Sequence, residues 1–555
     1  MNWKLLIAIV CLPVYSLAQT FPQQHRIQFT DKQNTPYTLS DPLAFLSQRA
    51  LDRRQRQNIS LSENDLPVDP VYIQAVLAQG ATYLAHSKWF NSVSVSVLDA
   101  SSLTAIQNLP FVIGSEAVGK VKADGKPLAK FELEAADKSQ TQSSFEDNDY
   151  GLGFNQIEML SGNSLHAQGF RGQGMLIAVL DGGFPNVDVY PAFDSLRSDN
   201  RILGGWDFVS RDNSIYGDNS HGMSVLSTMA ANMPGQFIGT APEASYILLR
   251  TEDGATESPV ELDYWVAGAE FADSAGADII NSSLGYTTFD NPQFDFSYSD
   301  MDGNTTRGSK GADIAASKGI LVVNSAGNSG NTAWQYIGAP ADGDSVLAIG
   351  AVTSEGFIAS FSSIGPSADG DVKPNVCAQG QGATIIAASG NVFTNGNGTS
   401  FAGPIMAGMA ACLWQANLDS ATNMDVFHAI EASAHKFNNP DHLYGYGIPN
   451  FAKANLMLSG IKPTNVDESE LFLVYPNPFI DQITGTFYSS NKQKVLVRLV
   501  NNLGQEIQRL EGTAEDFSGS DFTFTGLQSL TKGVYTLHIE ADSGTYYQKM
   551  VKLRN

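Results

Sequence analysis

Hydrophobic positions in the long middle part of the chain, between about Gly151 and Leu458, form short runs that are apolar at nearly every position. The predicted strands are Met175–Leu180, Tyr246–Leu249, Ile279–Leu284, Ile320–Val323 and Val346–Ile349. Continuous rather than alternating hydrophobicity indicates strands that are covered on both faces, as in a parallel sheet. Helical patterns fall between these runs, at Val260–Ser274, Lys310–Ser317 and Ser400–Ala416. This part is therefore predicted to be α/β, an open and mostly parallel sheet with helices on both faces.

The segment before it predicts a small α+β domain. Its order of patterns is β-α-α-β-α-β, read from Arg26–Phe29, Pro42–Gln57, Pro70–Ala78, Val93–Val97, Ser101–Leu109 and Phe111–Val118. Alternation of Val93, Val95 and Val97 with serines is typical of a half-buried strand. The basic residues Arg53, Arg54 and Arg56 lie in a helical pattern and are expected to form a solvated face, with a processing site as the alternative.

The last segment follows the polar linker Lys462–Glu470 and predicts a small all-β sandwich. Its β-type runs are Val495–Val500, Phe522–Phe524 and Val534–Ile539. The turn signals Asn502-Leu503-Gly504 and Lys532-Gly533 separate these runs, as expected for antiparallel strands.

The first residues predict a secretory signal peptide. Lys4 precedes the apolar run Leu5–Leu12, and Ser16-Leu17-Ala18 follows it, so cleavage after Ala18 is expected. The run is too short to span a bilayer. A lipid anchor at Cys11 is the alternative. No other segment is apolar enough to predict a transmembrane span, and we expect a secreted protein that is extracellular or on the cell surface.

Composition narrows the function further. The formal net charge of the 555 residues is −24 without a block of like charges, which argues against a nucleic-acid partner. Removal of the signal peptide leaves only Cys377 and Cys412, so the fold does not depend on a disulfide scaffold. We expect two buried thiols, with a single disulfide bridge as the alternative.

The polar stretch Leu128–Asp149 is predicted to be a linker and a cleavage zone.

Three reactive side chains fall at the ends of predicted elements. Asp181 ends the run Met175–Leu180 and precedes two glycines that allow a sharp turn. His221 opens a helical stretch whose start Ser220 is predicted to cap. Ser400 follows a glycine-rich segment at a helix N-terminus, where backbone N–H groups and the helix dipole favour an oxyanion. Each alone is typical of a turn or a cap, but parallel sheets place functional residues at the carboxyl ends of their strands.

The segments around these residues resemble the three signature segments of the subtilase family of serine proteases. They are Ile177–Gly183, Asn219–Gly222 and Gly398–Pro404, in the family's order Asp, His, Ser. Val322–Asn328 resembles the segment that carries the family's oxyanion-hole asparagine, which falls on Asn328. Ser283-Leu284-Gly285 resembles the strand that binds substrate main chain and borders the specificity pocket.

The resemblance implies a secreted serine endopeptidase that hydrolyses peptide bonds of a protein or peptide substrate through an acyl-enzyme. The implied catalytic residues are Asp181, His221, Ser400 and Asn328. The implied substrate-binding residues are Ser283, Leu284, Gly285, Ala326 and Gly327. The alternative function is a surface-displayed binding protein on an inactive protease scaffold.

Three positions depart from the family pattern. Gly182 stands after Asp181 where the family usually has Ser or Thr, and Met223-Ser224 stands where it usually has Thr-His. These changes predict a looser Asp–His geometry, with slower turnover or a narrower substrate range.

The flanking segments also resemble known domains. The N-terminal order is similar to the ferredoxin-like propeptides of many subtilases, which implies that the chain's own propeptide binds and inhibits it. Tyr475-Pro476-Asn477-Pro478-Phe479, Gly533-Val534-Tyr535 and Lys549–Lys552 resemble the C-terminal sorting domain of the type IX secretion system of Bacteroidetes, which implies that machinery as a partner. A carbohydrate- or surface-binding module is the alternative.

The predicted organisation has six parts. They are a signal peptide (1–18), a propeptide (19–130), a linker and maturation zone (131–149), a peptidase domain (150–460), a second linker (461–470) and a β-sandwich sorting domain (471–555).

No cofactor is expected to be required. Many subtilases bind calcium, and Asp300, Asp302 and Asn304 in the polar insertion between Gly285 and Gly308 offer oxygen ligands. Their spacing lacks the order of a defined calcium loop, and the alternative is a solvated surface loop.

Overall fold

The computed structural model describes residues 23–120, 130, 150–388, 393–459, 472–475, 479–487, 493–514, 520–542 and 544–552. Four segments lie outside these residues: the predicted signal peptide (1–18), the predicted maturation zone (131–149), the linker 461–470 and Pro476-Asn477-Pro478. No helix in the described ranges combines the length and the apolar character that a membrane span requires.

The N-terminal region, residues 23–120, is a four-stranded antiparallel sheet with helices. Its elements are β1 (Gln23–Phe29), α1 (Gln48–Arg56), α2 (Pro70–Leu77), β2 (Ala81–Ser87), β3 (Ser92–Val97), α3 (Ala100–Gln107) and β4 (Val112–Lys120). The strand order is β2-β3-β1-β4. Sequence patterns missed β2, so the observed order is β-α-α-β-β-α-β.

The predicted helix Pro42–Gln57 is two elements rather than one. A 3₁₀ turn covers Pro42–Ala44, and α1 begins after Ser47. Ser47 has an extended backbone and its Oγ accepts the N–H of Ala50 at 3.1 Å, which starts a new helix. The prediction failed because apolar spacing continues through the break.

The central region, residues 150–459, contains the large sheet. Its elements are α4 (Phe154–Glu158), α5 (Asn163–Ala167), β5 (Leu176–Asp181), α6 (Asp194–Ser198), β6 (Ile202–Asp207), α7 (His221–Ala230), β7 (Asn232–Met233), β8 (Phe237–Ile238), β9 (Ser245–Arg250), α8 (Val260–Ala275), β10 (Ile279–Ser282), α9 (Arg307–Ser317), β11 (Leu321–Ser325), β12 (Val346–Val352), β13 (Val376–Gln379), β14 (Ala383–Ile386), β15 (Phe393–Gly396), α10 (Thr399–Ala416), α11 (Asn423–Ser433) and α12 (Phe451–Leu458).

The sheet has seven parallel strands in the order β13-β12-β11-β10-β5-β9-β6. Residues of α7 and α10 pack on one face, and residues of α8 and α9 pack on the other. The predicted α/β sheet with helices on both faces is therefore confirmed. The chain passes from β5 to β6 and β9 on one side and then crosses to β10 on the other side of β5. Such a switch point opens a crevice at the carboxyl ends of the strands.

The N-terminal sheet packs on the outside of α8. One side of this helix presents acidic residues to it: Asp263, Glu270 and Asp273. Arg26 in β1 donates to Asp263 at 2.8 Å, and the backbone N–H groups of Lys88 and Trp89 donate to Glu270. Ser92 and Ser94 of β3 are buried at this contact. The half-buried strand predicted there is therefore covered on both faces, because its polar face meets another part of the chain.

The arginines of α1 do not form the predicted solvated face. Arg53 and Arg54 have side-chain exposures of 0 and 2%, and both donate to Asp273 of α8, at 2.6 and 2.8 Å. Lys88 Nζ lies 3.0 Å from the same carboxylate. Burial alone would raise the pKa of Asp273, but these cations outweigh it and hold that pKa well below its usual value. The prediction was wrong because the counter-charge is more than 200 positions away in the sequence.

Asp273→Asn is expected to weaken the association of the two regions. Removing one member of a buried ion cluster leaves the other charges uncompensated, which costs about 3–5 kcal/mol. We expect urea denaturation of the precursor to show a destabilisation of that order. The exposed Asp419 supplies the control, because Asp419→Asn should change the unfolding free energy by less than about 0.5 kcal/mol. Equal stability of both variants would contradict a central role of this cluster.

The C-terminal region, residues 472–552, is a pair of antiparallel sheets. Its strands are β16 (Phe472–Tyr475), β17 (Ile483–Phe487), β18 (Gln493–Asn501), β19 (Glu506–Ala514), β20 (Ser520–Phe524), β21 (Gly533–Ala541) and β22 (Gly544–Lys552). The sheet orders are β16-β17-β20 and β19-β18-β21-β22. Buried residues of both sheets, among them Ile483 and Leu537, form one core. The predicted all-β unit is confirmed.

Both cysteines of the central region are buried free thiols, as predicted. Burial raises the pKa of Cys377 and of Cys412 well above the ordinary thiol value. Cys412 Sγ lies 3.3 Å from the carbonyl oxygen of Thr240, inside the core. Both are therefore packing residues, unreactive at neutral pH.

Candidate active site

Asp181 and His221 meet at the carboxyl edge of the sheet. Asp181 is the last residue of β5 and is fully buried, and His221 is the first residue of α7. His221 Nδ1 lies 2.8 Å from Asp181 Oδ1. The carboxylate also accepts the backbone N–H of Gly182 at 2.7 Å. The imidazole is thus held by a buried, oriented acceptor.

Glycine at position 222 is what permits this contact. A Cβ at Gly222 would lie 2.5 Å from the carbonyl oxygen of Gly183 and 2.9 Å from Asp181 Cβ. Because those atoms belong to the backbone and to the buried acid, no larger residue fits there without moving the pair apart.

Ser400 lies in the first turn of α10, beside the same cleft. Its Oγ is 3.5 Å from the carbonyl oxygen of Ser283, at the outer limit of a hydrogen bond, so the hydroxyl is not held firmly there. Ser400 and His221 line one cleft, and the rings of His221 and Phe401 are 6.2 Å apart. The structure therefore brings the predicted serine and histidine to one cavity.

Two hydrogen-bond donors converge beside Ser400. Asn328 follows β11, and its Oδ1 accepts the backbone N–H and the hydroxyl of Thr399, both at 2.9 Å. This directs the amide Nδ2 toward Gly398, where a Cβ would lie 3.5 Å from Nδ2 and 3.6 Å from the backbone N of Ser400. Gly398 has φ +152° and leaves that space open. Two N–H donors around an open space are suited to an oxyanion.

The predicted substrate-binding residues border this cleft. Ser283, Leu284 and Gly285 follow β10 and line it, as does Gly327 after β11. Ala326 is fully buried behind them. Ser283 Oγ donates to the carbonyl oxygen of Ser400 at 2.9 Å, which ties this segment to the start of α10. The cleft has a volume of about 210 Å³.

The departures from the family pattern are visible around the acid. Asp181 Oδ2 is buried and has no hydrogen-bond partner among the described residues, and Gly182 offers no hydroxyl to it. Ser224 does not supply one, since its Oγ donates to the carbonyl oxygen of Ile386. The acid is therefore held through one oxygen only.

Ser220 does not cap α7 as predicted. It has helical backbone angles and makes no side-chain cap, and Asn219 Oδ1 accepts the N–H of His221 instead, at 2.8 Å. The cap is thus one residue earlier than the sequence pattern indicated.

One part of the cleft was missed from the sequence. Lys130, Glu252 and Glu257 line it together with His221 and Ser400. Lys130 is the last residue of the predicted propeptide and lies within the polar stretch Leu128–Asp149, so no local pattern pointed to it. Ser258 and Glu261 have the spacing of a capping box at a helix start, and Glu261 accepts the N–H of Ser258 at 2.9 Å. This spacing predicts a helix start and does not indicate that a lysine binds there.

The residues proposed for calcium serve local turns. Asp302 accepts the N–H groups of Asn304 and Thr305, and Asp300 accepts the N–H of Ser297. Among the described residues, the carboxylates close enough to share a cation are those of Asp344, Asp369 and Asp371, all exposed. Calcium binding stays a prediction.

Comparison with family models gives three matches. Residues 172–447 match the subtilase family, residues 24–141 match the peptidase S8 propeptide domain of Bacteroidota, and residues 473–553 match the secretion system C-terminal sorting domain. A sorting domain of this kind marks the protein as secreted or displayed on the cell surface.

Similar proteins of known activity support the subtilase match of residues 172–447. Subtilisin NAT from Bacillus subtilis subsp. natto is 32% identical over 301 residues, which are 54% of this chain and 70% of the relative. Subtilisin DY from Bacillus licheniformis is 33% identical over 263 residues, 46% of this chain and 82% of the relative. Serine protease AprX from Bacillus subtilis (strain 168) is 29% identical over 316 residues, 51% of this chain and 67% of the relative. The chain therefore belongs to the subtilase family and is a serine endopeptidase.

Proposed function

We propose that Asp181, His221 and Ser400 form a catalytic triad that hydrolyses peptide bonds through an acyl-enzyme. The observation that supports this most directly is the 2.8 Å contact between His221 Nδ1 and Asp181 Oδ1 in a cleft that Ser400 also lines. The buried acid holds Nδ1 as the protonated nitrogen, so Nε2 is the nitrogen that accepts a proton from the serine.

The reaction proceeds by two acyl transfers. Ser400 Oγ attacks the scissile carbonyl carbon as its proton passes to His221 Nε2. The C–N bond breaks, the imidazolium gives its proton to the leaving amine, and the acyl group remains on Ser400 as an ester. A water molecule then attacks the ester with His221 again as base, which releases the acid and restores the serine. Asp181 stabilises the imidazolium without taking its proton.

The oxyanion of each tetrahedral intermediate would be bound by Asn328 Nδ2 and the backbone N–H of Ser400. The hydrogen bonds from Thr399 to Asn328 Oδ1 fix the amide before substrate arrives, so little reorganisation is needed as charge develops.

Asn328→Ala is therefore expected to lower kcat by about 10²–10³ with a small change in KM. Steady-state hydrolysis of a peptide by the mature enzyme measures both. Thr332→Ala, on an exposed turn nearby, is the control and should keep wild-type kcat. A change in KM alone would show that Asn328 binds the ground state and not the oxyanion.

Burst kinetics separate this function from the alternative of a binding protein on an inactive scaffold. Mature enzyme mixed with an activated ester should release one leaving group per active site before the slower steady state, because acylation precedes deacylation. The absence of both a burst and turnover in folded, mature protein would support the alternative.

We also propose that residues 19–130 act as an inhibitory propeptide and that the sorting domain at 471–555 directs export by the type IX machinery. The contacts on α8 and the match at 24–141 support the first, and the match at 473–553 supports the second. Cleavage within 131–149 would separate the peptidase at about residue 150.

A further inference from the structure

A lysine from outside the central region occupies the cleft. The Nζ of Lys130 lies 2.6 Å from Glu252 Oε2, 2.7 Å from Glu261 Oε1 and 3.0 Å from Glu257 Oε2. Lys130 is the last residue of the predicted propeptide, whereas the glutamates lie between β9 and the first turn of α8. One ammonium thus bridges three carboxylates that belong to the peptidase.

This acidic pocket, formed by Glu252, Glu257 and Glu261, opens beside the predicted substrate strand. Glu252, Glu257 and Lys130 line the cleft that contains His221 and Ser400. Lys130 and Glu257 also line an adjoining hollow with Gly285, Thr287, Thr288, Phe289 and Asp290. The pocket therefore lies within reach of a peptide bound along Gly285.

Residues of the peptidase itself hold two of these carboxylates, those of Glu261 and Glu252. Glu261 accepts the backbone N–H groups of Asp253 and Ser258, both at 2.9 Å. Glu252 Oε1 accepts the phenolic hydroxyl of Tyr286, which lies next to Gly285. None of these partners belongs to the N-terminal region, so Glu252 and Glu261 keep them when that region leaves.

The pocket strongly favours a cation. Side-chain exposures are 0% for Glu252, 1% for Glu261 and 18% for Glu257. Burial raises the pKa of Glu261 well above its usual value and that of Glu257 to about 7, while Lys130 opposes both shifts. Burial would lower the pKa of Lys130, yet the three carboxylates raise it well above its ordinary value. Loss of the lysine leaves these buried acids either to bind another cation or to take up protons, because an unpaired buried carboxylate is unfavourable.

We propose that Glu252, Glu257 and Glu261 form a subsite of the mature enzyme that binds a lysine or arginine side chain of the protein substrate, and that Lys130 occupies this subsite in the precursor. The proposal rests on the proposed peptidase function and names its substrate class: polypeptides with a basic residue at one set position from the cleaved bond.

Cleavage of a peptide library by mature enzyme is the first test. We expect Lys and Arg to be enriched at a single position. Two peptides that differ there only, with lysine or with the uncharged norleucine, should then differ in kcat/KM by at least about tenfold, because a buried carboxylate is left unpaired by norleucine.

Glu257→Gln and Glu252→Gln then assign the preference to the pocket. Each should reduce the lysine-to-norleucine ratio to within about threefold, and circular dichroism spectra that match the wild type report correct folding. Glu355→Gln, on an exposed turn that does not line the cleft, is the matched control and should keep the wild-type ratio. Glu261 is left unchanged because it holds two backbone N–H groups.

The proposal is overturned by a library without a basic position, or by wild-type ratios in both pocket variants. Failure of the peptidase function would look different, since neither peptide would be cleaved and no ester burst would occur. A normal burst with no lysine preference would remove the subsite and retain the triad.

Discussion

Replacing Ser400 with alanine is expected to lower kcat for peptide hydrolysis by about 10⁶, close to the loss of all catalysis by the triad. The variant has no hydroxyl to form the ester, and His221 has no proton to accept from it. The remaining oxyanion donors and the cleft should still bind substrate, so KM should change little. Steady-state assays on equal amounts of folded protein measure both constants.

Ser420→Ala is the control for this variant. Ser420 is exposed at a turn after α10, and its removal should leave kcat unchanged. A loss of less than about tenfold in Ser400→Ala would contradict the assignment of the nucleophile.

The Ser400→Ala variant also tests whether the enzyme cleaves its own precursor. If the enzyme processes itself, Ser400→Ala should accumulate as uncut precursor with the N-terminal region attached. Processing at the wild-type rate would show that another protease cuts the linker.

Replacing Asp181 with asparagine is expected to lower kcat by about 10⁴. The amide has nearly the same shape, but its N–H₂ group can donate to His221 Nδ1, which moves the imidazole proton to Nε2 and removes the base. It also removes the negative charge that stabilises the imidazolium. Because substrate does not contact the buried Asp181, KM should stay close to wild type, and kcat and kcat/KM should fall together.

Asp419→Asn is again the surface control and should be fully active. An Asp181→Asn variant within tenfold of wild type would mean that the 2.8 Å contact does not orient the base during turnover.

Much of the fold could be predicted because the relevant signals are local. The continuous apolar runs at Met175–Leu180 and Ile320–Val323 become β5 and β11, since a strand buried on both faces has to be apolar throughout. The edge strands β6 and β2 were missed because glycine or polar residues interrupt their apolar pattern, as in Leu203-Gly204-Gly205 of β6. The other edge strand of the large sheet, β13, was missed because it has only four residues.

In the candidate active site, too, the residues that could be predicted are those with a local sequence signal. Asp181, His221 and Ser400 could be located because glycines and element ends mark them in the sequence. That they lie close together in space follows from the strand order, which no local pattern gives. The family resemblance implied only that these three residues act together.

The contacts between distant segments could not be predicted. Arg53 and Arg54 look like surface residues until Asp273 is placed against them, and Lys130 looks like part of a linker until the three glutamates surround it. In each case the charge is buried only because its partner, more than 100 positions away, is buried with it. A cluster of charges in one segment therefore predicts a solvent-exposed face. The three-dimensional structure is needed to show that a distant partner buries those charges.

The central claim, that Ser400 is a nucleophile activated by His221 and Asp181, is tested most directly by a serine-reactive phosphonate. Mature enzyme is treated with the probe, digested, and mapped by mass spectrometry. A single covalent adduct is expected on the peptide that contains Ser400; it should form much more slowly in Asp181→Asn and be absent in Ser400→Ala. Folded, mature protein that forms no adduct at Ser400, or that reacts equally well in Ser400→Ala, would contradict it.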